Sequence, residues 1–359
     1  MRRSVRSGDK GRRAWNVGSL LCAVAVFSSA APVRAREGGH SRSHTDVPSS
    51  PSFFNPASDP NRPRSDIFSP IVSFILPGFD QWWEGQYGSA AIYSGAAIGG
   101  YVYANATSTS NHYSEHQQQL KDEADRTGNP QESELDQKDI TGRKVVLGEL
   151  IAQGAGGMSA YQAFRTAVRT RQGHGQYEFL THEETPLDIM AAPFHFSYMT
   201  RPTTYIPLAI GAGLAYLVVQ SGPPDGMVRD GFSSADGFFT GAYSYNAGMH
   251  EEAIFRGWLM PVMREYWDSD FWSNAAQSVL FAAAHLNTNP QPLPQLLLGY
   301  DLGWISQNNG WRISEGVFIH TWWDVLAFAS QYAYKQKAPA PVAAKIHPIL
   351  WLPPVALFF

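Results

Sequence analysis

Two adjacent carboxylates, Glu251 and Glu252, lie in an apolar, aromatic-rich stretch that covers about residues 238–262. An acidic side chain at the centre of a lipid-facing helix costs roughly 2.5–3.5 kcal/mol on insertion scales, so it normally faces a polar interior or a partner. Arg256 follows Glu252 by one helical turn, a spacing at which an acid before a base pairs well. Glu251 is turned about 100° away on the same helix, so it can serve a different purpose.

Two further apolar segments carry ionisable groups at helical spacing. Phe281 precedes His285 by one turn, and His320 precedes Asp324 by one turn, so each pair shares a helix face. A single buried His is more often a hydrogen-bonded core residue than a catalyst, and a His–Asp pair is often only a salt bridge. Three such sets in three apolar helices favour a site, because Glu, His and Asp together can activate water, polarise a carbonyl or hold a metal.

The segments EEAIFR, FAAAH and HTWWD, which begin at Glu251, Phe281 and His320, carry a family resemblance. They resemble, in order and spacing, the Glu-Glu-x-x-x-Arg, Phe-x-x-x-His and His-x-x-x-Asn/Asp signatures of the CPBP family of intramembrane proteases. This CAAX protease and bacteriocin-processing family, also called Abi, includes the Rce1-like prenyl-protein endopeptidases. The resemblance covers about residues 200–335, whereas residues 1–140 lie outside it.

The resemblance implies roles for four residues. Glu251 is similar to the general base that activates water, and His285 to its partner in positioning that water. His320 and Asp324 correspond to the pair thought to stabilise the oxyanion. The eukaryotic enzymes have Asn at the position of Asp324, and an ionised Asp cannot donate a hydrogen bond to an oxyanion. Asp324 would therefore have to be protonated, orient His320 or ligate a metal.

Three other residues are interpreted as supporting ones: Glu252, Arg256 and Phe281. The first two look structural, because their pairing would hold the catalytic helix in register. Metal dependence stays open, since a divalent metal such as Zn could be satisfied by the four groups of the site, Glu251, His285, His320 and Asp324.

The composition points to a membrane protein. Charged residues make up 16% of the 359 residues, below the usual quarter, while aromatic residues reach 13%. The net charge of −4 gives no reason to expect a nucleic-acid partner.

The N-terminus has the pattern of an export signal. A basic stretch, an apolar stretch over 17–33 and small residues at Val33 and Ala35 predict a signal peptide over 1–35, with an uncleaved signal anchor as the alternative. The single cysteine, Cys22, lies inside it, so cleavage would leave a mature chain without disulfides or a catalytic Cys. Residues 36–66 are rich in Ser, Pro, Arg and Asp, which predicts a disordered linker on the export side.

The apolar segments predict an all-α, polytopic membrane helix bundle with about seven or eight membrane-embedded helices and a disordered N-terminal segment. Residues 67–200 form an N-terminal membrane region with a polar loop over 107–143. Arg165, Arg169 and Arg171 directly follow the span predicted at 145–164, which favours a cytoplasmic end there. Residues 201–359 form the protease core. Helices are predicted there at about 203–219, 238–262, 271–285 and 313–334, and one more lies between the proline cluster at 290–294 and residue 308.

The sequence therefore predicts an intramembrane endopeptidase of the bacterial inner membrane that acts on a membrane-associated protein or peptide in the lipid bilayer. The alternative is a non-catalytic membrane scaffold or immunity-type protein that keeps the same fold. A weaker third interpretation is a metal-binding transporter, which would need polar groups along a continuous path through the bilayer rather than in one zone.

Overall fold

Most described residues are helical. The computed structural model describes residues 64–109, 140–220, 227–229, 232–286 and 292–336. The predicted signal peptide at 1–35, nearly all of the linker at 36–66, most of the loop at 107–143 and the apolar end of the chain lie outside the described residues. Within the described ranges the all-α prediction is confirmed, with one small antiparallel sheet that was not predicted.

We number the elements in chain order. The α-helices are α1 Phe68–Ile75, α2 Phe79–Trp83, α3 Tyr87–Thr109, α4 Ile140–Gln172, α5 Pro186–Ala191, α6 Pro202–Gln220, α7 Ser234–Ile254, α8 Met260–Trp267, α9 Asp270–Ala284, α10 Leu293–Asn308 and α11 Ser314–Gln331. Two 3₁₀ turns cover Ala192–Phe194 and Phe196–Thr200, and a π-helical turn covers Phe255–Leu259. Strand β1, Met227–Arg229, pairs with β2, Tyr334–Gln336.

Helix α4 is the packing centre of the N-terminal half and lies against α1, α3 and α7. Glycines allow these close approaches. A Cβ at Gly100 on α3 would lie 2.5 Å from the carbonyl oxygen of Gly148 on α4, so neither position has room for a side chain. On the opposite face of α4, a Cβ at Gly157 would lie 2.9 Å from the His250 side chain on α7. The register between α4 and the helix of the Glu pair therefore depends on glycine.

Helix α7 joins the two halves, because it also packs against α11, which in turn packs against α6 and α10. A capping box starts α7: the Ser233 hydroxyl accepts from the Asp236 N–H, and the Asp236 carboxylate accepts from the Ser233 N–H. At its other end α7 runs through the π-helical turn into α8. Such turns widen a helix locally and frequently occur at functional sites.

One helix in the described ranges, α6, is both long enough and apolar enough to cross a membrane. The α9 helix has 15 residues and would span about 22 Å, short of a hydrocarbon core of roughly 30 Å. The multi-pass architecture with seven or eight embedded helices therefore goes beyond what helix length and hydropathy show.

The predicted disordered linker at 36–66 is wrong at its last three residues, 64–66. The Asp66 carboxylate accepts a hydrogen bond from the Tyr177 hydroxyl and lies 3.1 Å from Arg171, while its backbone carbonyl accepts from the Trp258 indole N–H at 3.0 Å. Burial and the adjacent Asp66 carboxylate raise the pKa of Tyr177, so its phenol stays neutral and donates. The chain is thus anchored to the core just before α1, by contacts more than 100 residues apart in sequence.

Candidate active site

Three helices bring Glu251, His285 and His320 together. Glu251 lies near the end of α7, His285 is the residue that caps α9, and His320 lies in the middle of α11. Glu251 Oε2 is 3.5 Å from His285 Nε2 and 3.7 Å from His320 Nε2. The Glu251 side chain is 14% exposed, and its Oε2 has no hydrogen-bond partner among the described residues. The three predicted groups therefore face one another.

The second carboxylate, Glu252, is fully buried and points elsewhere. Its Oε1 accepts from Arg256 Nη1 and His320 Nδ1, each at 2.8 Å. Arg256 Nη2 also donates to the Gly299 carbonyl on α10 at 3.0 Å. The predicted Glu252–Arg256 pair is present, and it connects α7 to both α10 and α11.

The hydrogen bond to Glu252 fixes the ring of His320. A carboxylate only accepts, so Nδ1 carries the proton and donates to Glu252. Nε2 is then directed towards Glu251 and towards Asp324, whose Oδ2 lies 3.6 Å away. That separation is too long for a direct hydrogen bond. Asp324 therefore lies beside His320 on the same helix face but is not hydrogen-bonded to it.

His285 is oriented in the same way by its own helix. Its Nδ1 lies 2.8 Å from the Phe281 carbonyl oxygen, which can only accept, so Nδ1 is again the donor and Nε2 faces Glu251. In their neutral forms, both imidazoles thus present an Nε2 lone pair to a carboxylate oxygen. Three acceptors facing one another need a shared proton, or a molecule that can donate twice.

The Phe281 ring forms the apolar floor of the site. Its centroid lies 4.6 Å from that of His285 and 5.7 Å from that of His320. The Arg256 guanidinium carbon is 4.4 Å from the same centroid, within range of a cation–π contact. The buried Phe281 ring thus contacts both imidazoles and the Arg256 cation, which is consistent with its predicted supporting role.

Two glycines near the Glu252 pair were not singled out from the sequence. A Cβ at Gly316 would lie 3.1 Å from Glu252 Oε2, and one at Gly299 would lie 3.3 Å from Arg256 Nη2. These positions let α11 and α10 approach the charged groups closely. A glycine inside a helix is the signal that could have marked them, because it is unfavourable there unless close packing requires it.

A metal site would need the donor groups of the candidate site to converge on one point. In the described part of the chain, no three His, Cys, Asp or Glu side chains form a group that could hold a metal ion. A zinc site would need its nitrogen and oxygen ligands at about 2.0–2.2 Å from one point. A divalent metal held by Glu251, His285, His320 and Asp324 stays a prediction, and no step below uses it.

Comparison with known families agrees with the motifs. Residues 235–326 match the family model of the type II CAAX prenyl endopeptidase Rce1-like proteins. Over these residues the chain is similar to that family. The match confirms the resemblance seen in the three motifs, and it includes every residue from Glu251 to Asp324. No curated protein and no solved structure matches the chain.

Proposed function

We propose that the protein is an intramembrane endopeptidase that hydrolyses a peptide bond of a membrane-associated protein or peptide, with a water molecule activated by Glu251. The observation that carries this proposal is the meeting of Glu251 Oε2 with the Nε2 atoms of His285 and His320 at 3.5 and 3.7 Å. An Rce1-like match over residues 235–326 supports the protease class.

A water molecule suits this cluster chemically. It has two hydrogens to donate, so a water beside the three atoms can serve two of the acceptors. Glu251 takes one proton as the water oxygen bonds to the substrate carbonyl carbon, and it returns the proton to the leaving nitrogen as the C–N bond breaks. The water donates its other hydrogen to one imidazole Nε2, for which His285 is the predicted partner. Asp324, on the same helix face as His320, acts in its protonated form as a hydrogen-bond donor to the developing oxyanion.

The buried charges around Glu252 keep the site rigid. Because His320 Nδ1 and Arg256 both donate to Glu252, the imidazole cannot rotate away from Glu251 without losing a charge-assisted hydrogen bond, typically about 1.5–3 kcal/mol. Preorganised groups of this kind contribute to catalysis because they need no reorganisation during the reaction.

Exposed apolar side chains support placement in a lipid bilayer. Large apolar residues on α6, including Ile210, Leu214 and Leu217, are more than half exposed, and others are exposed on α3, α9 and α10. Soluble monomers rarely expose contiguous patches of this kind. We propose a multi-pass protein of the bacterial inner membrane, with the shorter helices embedded beside α6.

A non-catalytic scaffold or immunity-type protein of the same fold is the alternative. A scaffold would need the Glu252 pair, which links helices, but it would have no use for a second carboxylate that faces two imidazole Nε2 atoms at 3.5 and 3.7 Å. This arrangement favours a reactive role for Glu251.

The adjacent carboxylates give a matched test. Glu251→Gln should lower turnover of a membrane-anchored, quenched fluorescent peptide library in proteoliposomes by roughly 10²–10⁴-fold, because it removes the base. Its melting temperature should not fall. Glu252→Gln should instead lower the melting temperature, because it weakens a buried ion pair. Full turnover in the Glu251→Gln variant would end the proposed mechanism and leave the scaffold alternative.

A further inference from the structure

Buried hydroxyl groups line the face of α7 that carries Glu251. Thr240 and Ser244 precede Glu251 by eleven and seven residues, close to three and two helical turns, so all three share one face. The residues are buried, with Thr240 3% and Ser244 0% exposed. Neither hydroxyl has a hydrogen-bond partner within the described ranges.

A hydroxyl from α11 fills the gap between Ser244 and Glu251. Gly248 lies between them on α7, and Thr321 Oγ1 occupies the space where a Cβ at Gly248 would lie. Thr321 is 5% exposed, and its Oγ1 also lacks a partner in the part of the chain that is described. We call Thr240, Ser244 and Thr321 the hydroxyl row.

Each member of the hydroxyl row would be costly without a partner. A buried hydroxyl that makes no hydrogen bond costs about 1–3 kcal/mol. Proteins normally satisfy such groups with buried water. Successive members on α7, Thr240 and Ser244, are separated by one turn, about 6 Å along the axis. Two hydrogen-bonded waters, with O···O distances of ~2.8 Å, span that distance.

The row ends at charged groups on both sides. Asp236, one turn before Thr240, is ion-paired with Arg143 at 2.8 Å, close to the start of α7. Glu251 is at the other end, about 16 Å from Thr240 along the helix axis. Asn246 Oδ1, also without a partner among the described residues, lies on another face of α7, against Gly154 on α4.

We infer that the hydroxyl row holds a file of water molecules between the Asp236 end of α7 and Glu251, and that this file supplies the water consumed in hydrolysis. The supply role rests on the proposed function, whereas the water file itself does not. Hydrolysis consumes one water for each bond, and a site between apolar helices needs a polar path to receive it.

Water contact can be measured without a substrate. In a Cys22→Ser background, Ser244→Cys and Ala253→Cys each provide one thiol on α7; Ala253, with 0% exposure, is the matched dry control. Radiolytic hydroxyl-radical labelling, in which the radicals form from water in place, should oxidise Cys at 244 several-fold faster than Cys at 253. Melting curves check that both variants fold. Equal labelling of the two thiols would overturn the water file, whatever the proteolytic activity.

A second arm tests the supply role. Thr240→Val and Thr321→Val remove hydroxyls of the row at nearly constant shape, and both should lower kcat several-fold without raising KM. Thr170→Val is the control, because Thr170 on α4 donates to the Ala167 carbonyl and lies outside the row. Unchanged kcat in both row variants would overturn the supply role. Fast labelling at 244 in a protein without proteolytic activity would keep the water file and instead sink the proposed function.

Discussion

The buried pair of Arg256 and Glu252 makes a quantitative prediction about stability. Both side chains are 0% exposed. Arg256→Met keeps much of the side-chain volume but removes the hydrogen bonds to Glu252 and Gly299 and the contact with the Phe281 ring. Glu252 would then be a buried carboxylate with His320 as its remaining hydrogen-bond partner among the described residues.

The magnitude follows from these contacts. A charge-assisted hydrogen bond contributes about 1.5–3 kcal/mol, an ordinary one about 0.5–1.5 kcal/mol, and a desolvated cation–π contact about 2 kcal/mol. These contributions are not additive, and breaking one side of a buried pair typically costs roughly 3–5 kcal/mol. We therefore expect Arg256→Met to lower the melting temperature in detergent by roughly 10 °C.

Arg264→Met on α8 is the control. Arg264 also has an acidic partner four residues on, Asp268, and a second one, Asp270, but these carboxylates are 91% and 61% exposed. Surface pairs contribute only about 0–1 kcal/mol, so this variant should melt almost like the parent protein.

The double variant Glu252→Gln with Arg256→Met distinguishes an uncompensated charge from lost packing. If the charge left on Glu252 is the cause, neutralising it should recover about 2 kcal/mol relative to Arg256→Met alone. If Arg256→Met melts like Arg264→Met but has lost proteolysis, Arg256 acts in catalysis and the structural assignment is refuted.

Three further predictions concern the site and its packing. Asp324→Asn should preserve much of the turnover if Asp324 is an oxyanion donor, because an amide donates without an added proton; a strongly impaired variant would show that its charge orients His320 or binds a metal. Gly248→Ala should lower the melting temperature, because its Cβ would collide with Thr321, whereas Gly241→Ala, where a Cβ meets nothing within 4 Å, should be neutral or stabilising by up to about 1 kcal/mol; equal melting would refute the packing argument. Chelation followed by metal analysis should leave turnover unchanged if the chain's own groups suffice, and loss of turnover restored by Zn would establish metal dependence.

The sequence was most informative where the contact lies within one helix. The Glu252–Arg256 pair and the shared face of His320 and Asp324 follow from the helical period alone. Helix positions in the core were also close: 203–219 was predicted for Pro202–Gln220, and 271–285 for Asp270–Ala284. These segments are apolar, and a Pro or capping signal marks the start of each.

Contacts between distant segments could not be predicted in this way. The hydrogen bond from His320 to Glu252 joins residues 68 positions apart, and helical spacing links His320 only to Asp324. The anchoring of Asp66 and the pairing of β1 with β2 could not be predicted either, because a polar segment and three-residue strands carry no periodic signal. Such contacts depend on how the helices pack against one another, which the spacing within one helix does not specify.

His320 contacts both adjacent carboxylates, each through a different ring nitrogen. Its Nδ1 is bound to Glu252, while its Nε2 faces Glu251, so one ring lies between the carboxylate that holds the helices and the one proposed to activate water. In the proposed mechanism, the buried pair affects catalysis through the orientation of this ring. A change at Glu252 should therefore reduce turnover only together with stability, whereas a change at Glu251 should reduce turnover alone. This difference separates a positioning role from a catalytic one, since both residues belong to the same turn of α7.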